Sequence, residues 1–352
     1  MIAFITALHV TAQSAFTGVS DIFTADSRFP VVSNVTPNGG ESFYFGQPLT
    51  VGWNASDESL GSTPVDVFVS LDGGTNYNAL ETGLINDGSE SLTPPQQINY
   101  QVKVKVTVTD EFGLSTSAES NSSFSLLGHY LSMKVLLEGP YNGSGMSTHL
   151  NSMGMLPLTQ PYFDLPADYD GDEAVSSIPD PDIVDWVLVE LRNAGSSPDA
   201  NPATMIHRQA AFLTGDGDIV GLDGSSMLRF GIEVTQNLYA VIYHRNHTPV
   251  ISANPMDFAG NTYDYDFTTG PDQALGGANA HKELAAGLWG LFAGDGDGDG
   301  DVHNGDKLDV WNEQSGTSGY HGADFNMDSE VNNTDKINYW DPNSGRSSQV
   351  PG

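Results

Sequence analysis

Apolar and polar residues alternate strictly in the first third of the chain. The alternating runs are 49–53, 65–71 and 102–108. A period of two residues predicts β-strands that bury one face. Turn-forming sequences such as Asn38-Gly39-Gly40 and Asp72-Gly73-Gly74 separate the runs. Residues 30–127 are therefore predicted to form one β-sandwich of about a hundred residues.

Longer and more apolar runs follow this region. They occupy 133–137, 183–191, 210–213, 238–243 and 263–267. Such runs are typical of β-strands, and the run at 263–267, which alternates aromatic with polar residues, is expected to be half exposed. Asp216-Gly217-Asp218 lies between two apolar pairs and is predicted to be a hairpin turn. Residues 128–291 are therefore expected to form a second, larger β-sandwich domain, so that the chain is mainly β.

Both regions resemble known families. The segments PNGGE, LDGGTNY and VTDEFG of residues 30–127 resemble the immunoglobulin-like or fibronectin-III-like repeats of bacterial surface proteins. The segments PDPDIVDWVLVELRN and HKELAAGLWGLFAGDG of residues 128–291 are similar to large secreted bacterial proteins labelled haemagglutinin-like. These resemblances imply an extracellular or cell-surface protein.

An internal repeat ends the chain, within residues 292–352. Residues 295–316 align without gaps on residues 324–345, at an offset of 29 residues. A calcium loop of the EF-hand kind takes side-chain oxygens at positions 1, 3, 5, 9 and 12 and a backbone carbonyl at position 7. In the first copy these positions are Asp295, Asp297, Asp299, Asp301 (carbonyl), His303 and Asp306. In the second copy they are Asp324, Asn326, Asp328, Glu330 (carbonyl), Asn332 and Asp335.

Both copies end their loop in Asp, followed by Lys and a short helix. In this they resemble the dockerin type I calcium-binding repeat, which implies a small C-terminal module with two Ca²⁺ ions. Two positions depart from the expected pattern: His303 is a poor ligand at position 9, and Ser329 replaces the glycine that eases the bend at position 6. Without the ions the loop carboxylates would repel one another, at roughly 1 kcal/mol per pair in water-like surroundings. Metal binding is therefore expected to be coupled to folding.

Other candidate sites are weaker. Asp168, Asp170 and Asp172 begin like a calcium loop, but the sequence offers no carboxylate at position 12, so a third Ca²⁺ site is only an alternative. His244 and His247, with His281 and Glu283, were considered as a transition-metal site. We expect side chains three apart along a strand to point to opposite faces, which argues against that site.

The amino-acid composition limits which kinds of partner the protein can bind. Twelve Lys and Arg against 45 Asp and Glu give a net charge of −33, which excludes nucleic acid or an anionic membrane surface as a charge-driven partner. No apolar run is long enough to span a membrane. The absence of cysteine excludes disulfides and thiolate chemistry, so bound Ca²⁺ is the expected stabiliser.

Residues 1–29 allow three interpretations. The favoured one is the closing strands of a preceding module, because the spacing of Leu8–Thr11 and Phe23 parallels that of Val106–Thr109 and Phe124. The alternatives are a secretory signal within Met1–Phe16 and a donor strand that completes the sheet of a neighbouring copy.

The sequence therefore predicts a non-enzymatic, extracellular structural or adhesive protein, since no catalytic motif occurs. A donor strand would allow head-to-tail assembly into a fibre. The alternatives are a glycan-binding adhesin and a dockerin-like module that binds another surface protein. Tyr263, Tyr265 and Trp289 could stack on sugars if exposed, but aromatic residues of β domains usually lie in the core. Leu308 with Trp311 and Ile337 with Trp340 are predicted to pack as core on the two short helices.

Overall fold

The computed structural model describes residues 26–352 except Leu165. With 41% of residues in strands and 13% in helices, the predicted mainly β class is confirmed. None of the helices in these residues is long and apolar enough to cross a membrane. The expectations for residues 1–25 lie outside the described part of the chain.

Nine strands form the first module. They are β1 (Val31–Thr36), β2 (Ser42–Tyr44), β3 (Leu49–Ser56), β4 (Leu60–Ser70), β5 (Asn78–Leu84), β6 (Ser89–Leu92), β7 (Asn99–Asp110), β8 (Ser115–Glu119) and β9 (Phe124–Leu127). One sheet has the order β1-β3-β6, and the other has the order β2-β9-β7-β4-β5, with β8 also paired to β7.

The alternation seen in the sequence is the burial pattern of these strands. Every second residue of β3 from Leu49 to Trp53, and of β7 from Val102 to Val108, is buried, as predicted. Antiparallel pairing of β4 with β7 places Val67 opposite Val106. These residues belong to one hydrophobic core that also includes Val35 of β1. The two sheets therefore bury their apolar faces in a common core, as the sandwich class requires.

Eleven strands form the second module. They are β10 (His129–Lys134), β11 (Ile183–Ala194), β12 (Met205–Thr214), β13 (Ile219–Val220), β14 (Leu228–Phe230), β15 (Asn237–His244), β16 (His247–Ile251), β17 (Asp257–Ala259), β18 (Thr262–Asp266), β19 (Lys282–Ala285) and β20 (Leu288–Gly290). Their sheets have the orders β13-β12-β11-β15-β16, β14-β10-β18-β17 and β19-β20. The short helices are His149–Ser152, Ser197–Asp199, Pro202–Thr204, Phe267–Thr269, Pro271–Gln273 and Gly277–Asn279.

Strand β11 lies at the centre of the five-stranded sheet. All of its residues except Asn193 are buried, which explains the long apolar run in the sequence. The predicted hairpin turn at Asp216–Asp218 joins β12 to β13, where Leu213 pairs with Ile219. The predicted strand at 133–137 is shorter than expected, because β10 ends at Lys134. Buried polar residues interrupt β11, among them Asp185, and this side chain reaches the C-terminal module.

The C-terminal module consists of two loops, each followed by a short helix. The first helix is a π-helical segment, Asp306–Trp311, continued by Asn312–Gln314, and the second comprises Asn333–Asp335, Lys336–Trp340 and Asp341–Asn343. A separate small core joins the two halves through Val302, Trp311, Phe325, Val331 and Trp340.

Candidate metal centre

Each loop folds around the carboxylate at its twelfth position. Asp306 is fully buried, and its Oδ1 accepts the backbone N–H of Gly296 at 2.6 Å while its Oδ2 accepts that of His303 at 2.6 Å. In the second loop Asp335 is also fully buried and accepts the N–H of Phe325 at 2.9 Å and of Asn332 at 2.8 Å. The last carboxylate therefore fixes both ends of its own loop, in the same way in both copies.

The first carboxylate of each loop is equally buried. Asp295 Oδ2 accepts the N–H of Gly300 at 3.0 Å, and Asp324 Oδ2 accepts that of Ser329 at 2.9 Å. Asp295 Oδ1 is buried and has no hydrogen-bond partner. A buried carboxylate oxygen without a donor is costly, and a bound cation would satisfy it.

Three carboxylates of the first loop are close enough to share one ion. One oxygen each of Asp295, Asp297 and Asp306 lies within 4.8 Å of the others. Asp299 lies beside this group, and its Oδ1 accepts the N–H of Asp301 at 2.9 Å. The loop therefore brings together the four side-chain carboxylates that the sequence places at positions 1, 3, 5 and 12.

The second loop has an amide at position 3, Asn326, and another at position 9, Asn332. Asn326 donates from its side chain to Asp328 Oδ2 at 2.8 Å, and Asp328 Oδ1 accepts the N–H of Glu330 at 3.0 Å. Asn332 accepts the N–H of Thr334 at 2.7 Å, so it caps the helix that follows. The second loop differs from the first in that Asp324 Oδ1 accepts the N–H of Asp328 at 3.1 Å, and its carboxylates form no group of three within 4.8 Å among the described residues.

Without a cation, burial raises the pKa values of several loop carboxyl groups, and neighbouring negative charges add to this. Burial, with the neighbouring charges of Asp306, Asp299 and Asp297, raises the pKa of Asp295 well above its ordinary value. Burial raises the pKa of Asp324 to about 7, although Arg245 opposes this shift. Burial also raises the pKa of Asp335. A bound divalent cation would relieve these shifts, because it favours the ionised form of each group.

The structure shows both departures from the calcium-loop pattern, His303 at position 9 and Ser329 at position 6. The ring of His303 is half exposed, and its Nδ1 lies 3.0 Å from Asp306 Oδ2, a hydrogen bond that raises its pKa. Ser329 has a φ of 72° and Met327 a φ of 59°, where the first loop has Gly300 at 94° and Gly298 at 72°. The second loop therefore keeps the backbone of the first with side chains in the left-handed region. Ser329 thus adopts the left-handed conformation for which position 6 usually has glycine.

The two halves exchange contacts reciprocally. Trp311 Nε1 donates to the carbonyl of Asn332 at 3.0 Å, and Trp340 Nε1 donates to the carbonyl of His303 at 2.9 Å. The backbone bridges follow the same rule, since Asp301 pairs with Ser347 while Glu330 pairs with Ser318. The helix of each copy thus supports position 9 of the other loop, so the two loops are structurally coupled.

A buried polar network joins the second loop to the second module. Asp185 Oδ1 accepts the Tyr320 hydroxyl at 2.7 Å, and its Oδ2 accepts Arg245 Nε at 2.9 Å. Although burial alone would raise the pKa of Asp185, the Arg245 charge and the hydrogen bonds of His244 and Tyr320 lower it to about 2. The side chain of Asn246 donates to the carbonyl of Asp324 at 2.7 Å.

The interpretation of the histidine pair was wrong in its geometry. His244 ends β15 and His247 begins β16, so they face each other across a two-residue hairpin with their Nδ1 atoms 3.1 Å apart. Burial lowers the pKa of both rings. Neither His281 nor Glu283 joins them in a metal-binding group among the residues that the structure covers. The turn residues Arg245 and Asn246 form the polar network that joins the second loop to the second module, a role that the sequence did not predict.

Other expected features differ from the structure. Leu308 and Ile337 were predicted to be core, but they are 53% and 56% exposed, whereas Trp311 and Trp340 are buried. Tyr263 and Tyr265 are buried, as aromatic residues of β domains usually are, which argues against their stacking on sugars. Asp168, Asp170 and Asp172 are exposed, and they form no metal-binding group within the described chain.

No known protein family matches the sequence, and no curated protein is significantly similar to it.

Proposed function

We propose that residues 292–352 bind two Ca²⁺ ions, one in each loop, and that the chain is a non-enzymatic extracellular structural or adhesive protein. The observation that carries the proposal is the partnerless, buried Oδ1 of Asp295 within the group of Asp295, Asp297 and Asp306. In this proposal the ions hold together a module that would otherwise repel itself.

The donor set favours Ca²⁺ over other cations. The loops offer carboxylate, amide and carbonyl oxygens and no thiolate, which suits a hard cation. Mg²⁺ is less suitable because it requires near-ideal octahedral geometry and keeps several waters. Extracellular calcium modules bind with dissociation constants of about 10⁻⁴–10⁻³ M, so ions at the millimolar level outside the cell would fill the sites.

We also propose the finer modular assignment. The first sandwich, residues 30–127, would be immunoglobulin-like, and the C-terminal module would be dockerin-like. Support for the second assignment comes from the two loops that end in Asp and from the reciprocal contacts of Trp311 and Trp340. The buried Asp185, Arg245 and Tyr320 network would make this module a clamp on the second module, residues 128–291.

Head-to-tail assembly belongs to the same proposal. It depends on residues 1–29 acting as a strand for a neighbouring copy. Deletion of Met1–Phe23 should leave monomers in electron micrographs, and unchanged filaments would contradict this part of the proposal. Binding of surface proteins or glycans by the assembled protein is the corresponding adhesive role.

Calcium titration tests the central claim. Isothermal titration of ion-free protein should give two C-terminal sites, and thermal melts should show a large stabilisation by Ca²⁺. Asp306→Ala with Asp335→Ala should remove both sites and most of that stabilisation. Asp309→Ala is the matched control, because Asp309 is exposed on the first helix and outside the loop. Retention of both sites in the double variant would refute the proposal.

A second candidate is a docking module that binds another surface protein. The exposed side chains of Leu308 and Ile337 favour it, since the repeat places them at equivalent positions of the two helices. An apolar residue repeated by internal symmetry offers two equivalent binding faces to a partner with an apolar surface. Pull-down from the surface fraction with full-length protein should then be lost in Leu308→Ser with Ile337→Ser, while the calcium stoichiometry stays unchanged.

A further inference from the structure

Three separate segments meet at one end of the first module. Asp26 lies in the chain that enters β1, Asp57 lies in the turn between β3 and β4, and Asp110 is the last residue of β7. Pairing of β4 with β7 places Leu60 opposite Asp110, and Glu111 donates its N–H to the carbonyl of Ser59 at 2.9 Å. The register of the sheet therefore brings the turn and the strand end together.

The three carboxylates converge on one point. One oxygen from each of Asp26, Asp57 and Asp110 lies within 4.8 Å of the other two. Arg28 does not neutralise them with its side chain, since its guanidinium pairs with Glu58 at 2.8 Å among exposed atoms. The guanidinium of Arg28 is thus paired outside the cluster, while the backbone N–H of Arg28 donates to Asp26 Oδ1 at 2.9 Å.

Asp110 supplies an independent sign of a missing ligand. Its side chain is only 6% exposed, and its Oδ1 accepts the N–H groups of Phe112 at 2.8 Å and Leu114 at 2.9 Å. Its Oδ2 is buried and has no hydrogen-bond partner. The turn after β7 therefore needs only one of the two oxygens, and the other is left without a donor at the acidic cluster.

The remaining oxygens are partly used in positioning the cluster. Asp26 Oδ2 accepts the hydroxyl of Ser59 at 2.6 Å, and Asp57 Oδ1 accepts the N–H of Ser59 at 2.8 Å. Each carboxylate oxygen has two lone pairs, so these bonds still leave capacity for a cation. The short contacts to Ser59 hold Asp26 and Asp57 in place before any ion binds.

We propose that Asp26, Asp57 and Asp110 bind a further Ca²⁺ ion, separate from the two loops at the other end of the chain. Three carboxylates from three segments suit Ca²⁺, because it accepts irregular sets of six to eight oxygens, completed here by water. The ion joins the entering segment 26–30 to the strand ends of the first module.

The first experiment counts ions in the full-length protein. Equilibrium dialysis against Ca²⁺ should show one ion fewer per chain for Asp110→Asn and for Asp57→Asn than for the wild type. Glu111→Gln is the matched control, because it removes the same charge from an exposed neighbour outside the cluster. Equal calcium counts in the wild type and both Asn variants would overturn the proposal, whatever the C-terminal loops bind.

Asparagine keeps the local fold testable. Its side-chain oxygen can still accept the N–H groups of Phe112 and Leu114, while its amide can donate to the remaining carboxylates. The ion-free Asp110→Asn protein should therefore melt at or above the temperature of the ion-free wild type. If Asp110→Asn fails to fold, Asp57→Asn decides, since Asp57 is only partly buried.

The second experiment measures whether Ca²⁺ protects the chain segment next to the site from proteolysis. Arg28 is the first basic residue of the chain and lies within the entering segment, so trypsin cleavage after Arg28 releases residues 1–28. Calcium should slow this cleavage several-fold in the wild type and Glu111→Gln, and should have no effect in Asp110→Asn. Cleavage that Ca²⁺ slows equally in all three proteins would contradict the proposal. The C-terminal variant Asp306→Ala with Asp335→Ala should keep the protection, which separates this site from the two loops.

Discussion

The side-chain amide of Asn246 donates a hydrogen bond of 2.7 Å to the backbone carbonyl of Asp324, the first residue of the second loop. Asn246 is fully buried in the hairpin turn between β15 and β16, and its Oδ1 lies 2.8 Å from His247 Nδ1. The start of the second loop is therefore positioned by the second module as well as by the loop itself.

Replacement of Asn246 by Ala should destabilise the calcium-saturated protein by about 1–3 kcal/mol, because it leaves a buried carbonyl without its donor. Urea unfolding monitored by tryptophan fluorescence measures this change. Asn78→Ala is the control at an exposed strand position, and we expect it to stay within about 0.5 kcal/mol of the wild type. Equal stability of both variants would show that the bond does not hold the loop.

The strands of the first module could be predicted because their chemistry is local. Alternation in β3 and β7 reports one buried face, and the structure buries Trp53 and Val104 accordingly. The loop positions were also predictable, because two copies with fixed spacing define the register. In the second module the sequence of β11 is mostly apolar, which indicates burial but not which strands flank it.

Features that depend on distant segments were not predictable. His244 and His247 look like neighbours on one strand, and only the hairpin makes them face each other. Leu308 was assigned to the core from its spacing with Trp311, but the reciprocal packing of the helices turns it outward. Asp26, Asp57 and Asp110 are 31 and 53 residues apart in the sequence, and sheet register alone brings them together.

We expect substitution of each helix tryptophan, Trp311 or Trp340, to weaken calcium binding by the loop of the other copy. Trp311→Phe removes the donor to Asn332 and should weaken the second site, whereas Trp340→Phe removes the donor to His303 and should weaken the first. A lost hydrogen bond of about 1 kcal/mol corresponds to roughly a fivefold loss of affinity.

Each site can be titrated alone to check this crossing. In the Asp306→Ala background with Asp110→Asn, which removes the proposed site of the first module, calorimetry reports the second loop site, and Trp311→Phe should weaken it more than Trp340→Phe does. The Asp335→Ala background with Asp110→Asn should give the opposite order. If each tryptophan instead affected only the loop before its own helix, the reciprocal contacts would carry no energy.

The pH dependence of the protein's stability should reverse sign when Ca²⁺ is added. In the ion-free protein the pKa of Asp324 is raised from 3.8 to about 7 by burial, and burial also raises that of Asp335. Protonation of Asp324 in the folded state thus contributes stability that is full below about pH 3.8 and is lost as the pH rises through about 7. Calcium requires the ionised carboxylates, so its affinity should rise with pH over the same interval.

Thermal melts between pH 5 and pH 8, with and without Ca²⁺, test this reversal. The Ca²⁺-dependent increase in melting temperature should be larger at pH 8 than at pH 5. Calorimetry in buffers of different ionisation enthalpy should also detect protons released on binding at pH 6. A calcium affinity independent of pH between 5 and 8 would contradict the raised pKa of Asp324.

Relief of backbone strain in the second loop should stabilise the protein. Ser329 has a φ of 72°, a conformation that costs a side-chain-bearing residue about 1–2 kcal/mol, while the equivalent Gly300 adopts a φ of 94° freely. Ser329→Gly removes this strain but gives the unfolded chain more freedom, which offsets about 0.4–1 kcal/mol. A net gain of up to about 1 kcal/mol is expected.

The reverse substitution completes the test, because Gly300→Ser introduces the same strain into the first loop and should destabilise it. The Cβ of that serine would lie 3.2 Å from Ser348 Cβ, so crowding adds to the strain. Both changes are measured by urea unfolding in saturating Ca²⁺, where the loops hold their bound geometry. A destabilised Ser329→Gly protein would mean that the weak contact of the Ser329 hydroxyl with His149 Nε2, at 3.4 Å, outweighs the strain.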